Sequence, residues 1–168
     1  MATQIGANEP YALANGKGVS DVWFFGGARC TVKVGGEQTD GRLYQAQVTE
    51  RRGSGPPLHI HHNADETFYV VAGELLVFVG DERIEAGAGD FVFGPKGVAH
   101  SYVARSDQAE FLATFAPASM DRFFEELGGI PVEPGKPAPA ASYPDPEEFA
   151  RGAAAWGVEI VGPPVALD

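Results

Sequence analysis

Four side chains in this sequence have the types and spacing to do chemistry together. His59 and His61 are separated by one residue, so in an extended strand, where side chains alternate with period two, both imidazoles leave the same face. Asn63-Ala64-Asp65 reads as a turn, and Glu66 opens the next strand, from which a carboxylate can fold back beside the two rings. His100, after Pro95-Lys96-Gly97, supplies another imidazole at the start of a later strand. Three neutral imidazoles and one carboxylate suit a single divalent transition ion per chain: Ni, Fe, Mn, Co, Cu or Zn. Such a ligand set leaves one or two positions open on a five- or six-coordinate ion, as a reacting metal requires.

Neighbouring residues read more plainly. His62 follows His61 directly, so period two turns its side chain away from the other rings, toward the surface. Cys30 lies in an apolar-alternating stretch and reads as a small buried side chain. Gly53, Gly73, Gly89 and Gly97 read as turn glycines, and Gly87-Ala88-Gly89-Asp90 as a hairpin turn.

The elements that must hold the four residues are short and regular. Candidate strands fall at 22–25, 30–34, 43–50, 58–61, 66–71, 75–79, 82–85, 91–93, 101–104 and 110–116, separated by Gly, Asp and Pro. Gly 22 and Pro 13 make up about a fifth of the 168 residues, a turn-rich composition that favours strands over long helices. Spacers this short leave no room for the helical crossovers of a parallel sheet, so the class is all-β, a sandwich or barrel. After Pro117 the pattern changes. Ser119 can cap a helix over 119–128, the stretch 130–144 reads as an extended Pro/Ala connector, and Asp145-Pro146-Glu147-Glu148 starts a second helix reaching about residue 156. A terminal strand is expected at 158–161. The organisation is then an N-terminal extension (1–20), a β-barrel (21–117), and C-terminal helices with a Pro-rich tail packed on it (118–168).

Charge and composition exclude several functions. Lys+Arg 12 against Asp+Glu 23 gives −11 with no basic run, which argues against nucleic acid and anionic membranes as partners. The lone Cys30, the lack of a membrane-length apolar run, and an N-terminus without an apolar leader lead us to expect a cytoplasmic protein.

The stretches around the four residues resemble the cupin superfamily. Its first motif, glycine, His-x-His, glutamate, glycine, is matched by Gly53, His59, His61, Glu66 and Gly73. Its second is matched by Gly89, Pro95, Gly97 and His100, with Ala104 where the motif closes on Asn. That Asn is not a ligand in the family pattern. The resemblance implies a cupin jelly-roll barrel with the metal inside, to which the helices read above add a short C-terminal helical appendage. A looser resemblance, carried by Gly35-Gly36-Glu37-Gln38-Thr39, by 121–128 and by the Asp-Pro-containing tail, is to bacterial quercetin 2,3-dioxygenase-like cupins built from one such domain. It implies a dioxygenase in which the glutamate ligand, here Glu66, also acts as general base on a flavonol-like enol, with O₂ as co-substrate and loss of CO on ring cleavage. It also implies a homodimer.

Phe68, Phe78, Phe93, Tyr102 and Phe115, chosen by strand parity or proximity, are the expected wall for an aromatic small-molecule substrate. Two other functions fit the same four ligands: metal-assisted isomerisation, cyclisation or decarboxylation of a polyketide- or sugar-like substrate without O₂, and non-catalytic small-molecule binding.

Overall fold

The computed structural model describes residues 5–24, 27–140 and 143–167. Twelve strands form the framework: β1 (Ser20–Trp23), β2 (Arg29–Val34), β3 (Tyr44–Arg51), β4 (Pro57–His61), β5 (Asp65–Ala72), β6 (Glu74–Val79), β7 (Glu82–Gly87), β8 (Phe91–Gly94), β9 (His100–Ala104), β10 (Gln108–Ala116), β11 (Ile130–Pro131) and β12 (Val158–Pro164). Helices are few and short: α1 (Gly36–Thr39), α2 (Phe123–Glu126) and α3 (Pro146–Ala154). A seven-stranded sheet runs β11-β1-β2-β3-β10-β5-β8, and a five-stranded sheet runs β12-β4-β9-β6-β7. Every ladder is antiparallel. This is the all-β architecture expected from the turn-rich sequence, in the two antiparallel sheets of the jelly roll that the resemblance implies.

Alternation builds the interior. On β3 the inward side chains are Tyr44, Ala46, Val48 and Glu50; on β10 they are Ala109, Phe111, Ala113 and Phe115. Register sets each large side chain beside a complementary one: Phe111 opposite Val48, Phe115 opposite Tyr44, Ala113 opposite Ala46. Phe111 is fully buried and packs edge-on against Tyr102 with ring centroids 4.9 Å apart. The hydrophobic core continues past the barrel into Met120, Phe123 and Ala153, so the C-terminal segment shares it.

The ten strands expected over 22–116 all form, with ends shifted by a residue or two; Phe25, the expected end of the first, lies outside the described residues. Three expectations are corrected. The turn at Gly87-Ala88-Gly89-Asp90 is not a hairpin, because β7 pairs with β6 and β8 pairs with β5 in the other sheet. It is a corner between sheets, held by Asp90 Oδ2 accepting from Gly87 N at 2.8 Å, with Gly89 at φ 93.

The helix expected at 119–128 shrinks to the single turn of α2. Asp121 accepts from Gly36 N at 2.7 Å across the molecule, and Arg122 adopts φ 60, so the chain leaves the helical path before Phe123. The Ser119 hydroxyl is buried without a partner rather than capping. Third, the 130–144 connector is not wholly irregular: Ile130 and Pro131 pair with Trp23 and Val22 as an edge strand, a place where proline's missing N–H is tolerated. The second helix starts as expected, with Asp145 Oδ1 accepting from Glu147 N and Glu148 N at 3.0 Å each.

Core and edge positions differ sharply in exposure, which yields a direct check. Phe111→Ala should lower unfolding free energy by about 3–5 kcal/mol. Phe93→Ala, at a side chain 50% exposed, should change it by no more than about 0.5 kcal/mol in urea denaturation.

Candidate metal centre

Strand parity and one register bring the four residues together. His59 and His61 point inward from β4 at 8% and 2% exposure, while His62 faces out and pairs with Glu159 Oε2 at 2.7 Å. His100, at the first position of β9, is the direct cross-strand partner of His59. Glu66 is the second residue of β5 and is buried. Its Oε2 lies 2.9 Å from His100 Nε2, 3.2 Å from His61 Nε2 and 4.0 Å from His59 Nε2. All four donor atoms fall within 4.8 Å of one another.

The donor chemistry fits a metal. Bonds of about 2.0–2.2 Å to one ion place donors about 3–4 Å apart, the range of the three Glu66–imidazole distances. Nδ1 of His59 donates to the Pro57 carbonyl at 2.8 Å, and Nδ1 of His100 to the Val98 carbonyl at 2.9 Å. A carbonyl only accepts, so each ring carries its proton on Nδ1 when neutral and leaves Nε2 bare toward the cluster. His61 Nδ1 is buried with no hydrogen-bond partner in the protein. Burial, reinforced by His100 and His61, pushes the His59 pKa down to about 3, which keeps the ring neutral as a ligand must be. Burial opposes ionisation of Glu66, but the nearby His100 and His61 rings outweigh it and hold the carboxyl well below its usual range.

The cluster opens on a cavity of about 730 Å³. Its walls come from the barrel interior and from the C-terminal segment, including Phe111, Phe115, Phe123, Phe124 and Phe149. Of the expected substrate wall, Tyr102 and Phe115 line this space. Phe68 does not; it is fully buried behind the ligands, with ring centroids 6.2 Å from His100 and 5.8 Å from Tyr102. Phe93 and Phe78 are corrected outright. Phe93 is half exposed on the face of β8 opposite buried Val92, and Phe78 lies on the face of β6 opposite Leu75 and Val77. Phe91 and Tyr69, exposed cross-strand partners, likewise face outward.

Two contributions were missed in the sequence. One is the C-terminal segment, which lines the cavity with Phe149 and Ile160 and sets β12 against β4, Ile160 opposite His59 and Val158 opposite His61. The other is Glu50, which lines the cavity at 3% exposure. A signal was available: Glu50 shares the inward parity of Tyr44, Ala46 and Val48. Burial pushes its pKa up to about 7, against the pull of the nearby Ser54 and Tyr102 hydroxyls.

Two outcomes follow from this geometry. Replacing His59, His61 or His100 by Ala should strip most of the bound metal, measured by elemental analysis after purification, whereas His62→Ala should keep it. For Glu50, the folded-state pKa lies above the ordinary 4.5, so the folded protein holds a proton that the unfolded chain has already lost. Stability therefore falls as pH rises from about 4.5 through about 7, by on the order of 3 kcal/mol. Glu50→Gln removes that loss. Compared with the parent, the variant should be relatively more stable at pH 8 than at pH 4.5 in chemical denaturation.

Comparison with known proteins agrees with this fold. The family described as the Cupin domain matches residues 47–115. Quercetin 2,3-dioxygenase of Bacillus subtilis is 27% identical over 119 residues, 71% of this chain and 35% of that protein. The chain spans about a third to about half of the length of the curated relatives it matches. Among solved structures, an RmlC-like cupin from Shewanella frigidimarina covers 70% of this chain and 98% of its own, with a TM-score of 0.57 and 23% identity. A mutant of Bacillus subtilis oxalate decarboxylase covers 60% of this chain and 28% of its own, with a TM-score of 0.53 and 25% identity. No helix among the described residues is long and apolar enough to cross a membrane. The two-sheet fold and the His59-x-His61, Glu66 and His100 cluster accord with a Cupin domain over residues 47–115 of this chain.

Proposed function

We propose that the protein is a metal-dependent cupin oxygenase of the quercetin 2,3-dioxygenase type, acting on a flavonol or a related enolisable aromatic with O₂. The observation that carries this reading is the meeting of a four-donor metal cluster with a large aromatic-walled cavity. His59, His61, His100 and Glu66 would hold a divalent ion. When bound, such an ion supplies Lewis acidity at an oxygen of an enol or phenol, and an open position beside it. The rest of the work falls to the protein. Glu66, ionised and buried, accepts the hydroxyl proton of the substrate at Oε2, the oxygen that faces all three imidazoles. Phe111, Phe115 and the aromatic residues of the C-terminal segment hold a flat ring system and exclude water. The similarity to quercetin 2,3-dioxygenase of Bacillus subtilis supports the same substrate class.

The cavity also weighs on the alternatives. A small polar acid, such as the substrate named for oxalate decarboxylase, would leave most of this apolar volume unfilled. Isomerisation or cyclisation of an enolisable aromatic fits the same walls and needs no O₂. The deciding experiment is metal analysis of the purified protein followed by O₂-uptake measurements against flavonols and aromatic polyketides. O₂ consumption with ring cleavage is expected, and turnover without O₂ uptake would move the assignment to the isomerase class. In the same assay Glu66→Gln should retain a substantial fraction of its metal while turnover falls about 10²-fold or more. A near-parental rate would leave Glu66 as a ligand only.

A further inference from the structure

The cavity wall holds a second polar group, away from the ligands. Among the described residues its lining includes no lysine or arginine; Tyr143 comes from the C-terminal segment, and the polar side chains from the barrel strands beyond the cluster are Glu50, Tyr102 and Cys30. Burial keeps the Cys30 thiol and the Tyr102 hydroxyl protonated, pushing both pKa values well above their usual range. Tyr102 Oη donates to Glu50 Oε1 at 3.0 Å. Glu50 Oε2 is buried and has no hydrogen-bond partner among the described residues. Ser54 lies near but makes no hydrogen bond of ordinary length and angle to it. A carboxyl that accepts one hydrogen bond has capacity for others, and a buried one left short of partners is a strong demand for a donor.

Position makes the demand useful. Tyr102 lies two residues beyond His100 on β9 and packs against Phe68, whose ring also touches His100. One strand repeat, about 6.5 Å, thus separates the Glu50–Tyr102 pair from the ligands along β9. A molecule one or two rings wide can reach both.

The geometry points to Glu50, oriented by Tyr102, as a specificity-determining anchor that accepts a hydrogen bond from a ring hydroxyl of a neutral aromatic substrate bound against the metal cluster. This rests on the reading of the cavity as the substrate chamber of that cluster. The same carboxyl, with no cation on the wall, disfavours anionic ligands. An analogue lacking the hydroxyl leaves Glu50 without its donor and binds more weakly, because the demand of a buried polar group persists when the ligand cannot meet it.

The test uses simple probes on zinc-loaded protein: 2-naphthol and 2-methoxynaphthalene, which share a ring system and differ in the donor. By titration calorimetry at pH 8, where Glu50 is mostly ionised and 2-naphthol is still neutral, the parent should bind 2-naphthol about tenfold more tightly. In Glu50→Leu the preference should fall below about twofold, with zinc content unchanged and 2-methoxynaphthalene bound at least as well as by the parent. Glu50→Gln, which keeps an acceptor oxygen, should retain a preference of about threefold or more. If the leucine variant does not fold, Glu50→Met takes its place. Equal binding of the two probes by the parent, no binding of either, or an undiminished preference in Glu50→Leu would overturn the assignment. Failure of O₂ uptake with flavonols while the naphthol preference tracks Glu50 would instead remove the oxygenase reading and leave the anchor standing.

Discussion

Three imidazoles crowd a single carboxylate oxygen inside an apolar barrel, and much of the structure serves to hold them there. Left to themselves, four ionisable groups within 4.8 Å would prefer water, since burial disfavours the charged form of each. They stay because each is fixed from behind. His59 and His100 are tied by Nδ1 to backbone carbonyls, His61 is packed edge-on against Phe115, and Glu66 is held between its imidazole neighbours. A cation shared by all four would relieve the crowding and use the arrangement. Stiffness of the strands sets the donor spacing; no loop carries a ligand.

The cavity is a joint product of two parts of the chain. The barrel supplies the ligands, Glu50 and the inner aromatic residues of β10, while α2, α3 and β12 supply the outer wall. Without the second part, Phe115 and the imidazoles would face solvent, and a proton transfer at Glu66 would compete with water. The C-terminal segment is thus an extension of the site, fused to it through β12 and through Asn63, whose Nδ2 donates to the Trp156 carbonyl at 3.1 Å.

The clustering of these four residues could be read from the chain because its logic is local. His59 and His61 share a face by parity alone, and the turn at Asn63-Ala64-Asp65 fixes where Glu66 begins. Strand positions were legible for the same reason, each bracketed by Gly, Asp or Pro. Parity has no sign until the sheets are assembled, however, so Phe93 and Phe78 were set on the wrong side. Long-range partners were invisible: Asp121 reaching Gly36 dissolves most of a helix that local signals favour. Glu50 escaped because a carboxylate on an apolar face stands out only once that face is known to be internal.

The pairing of β12 with β4 has a bearing on how the molecule is made. His59 and His61 leave the ribosome about a hundred residues before Val158 and Ile160, their partners across the ladder. Until those residues emerge, the ligand strand has one free edge and its imidazoles lack part of their cover. Residue 164 must clear the exit tunnel before the chamber is whole. Formation of the four-residue cluster and enclosure of the site are therefore separable events in synthesis, with the four side chains in place first and the walls that dry them arriving last.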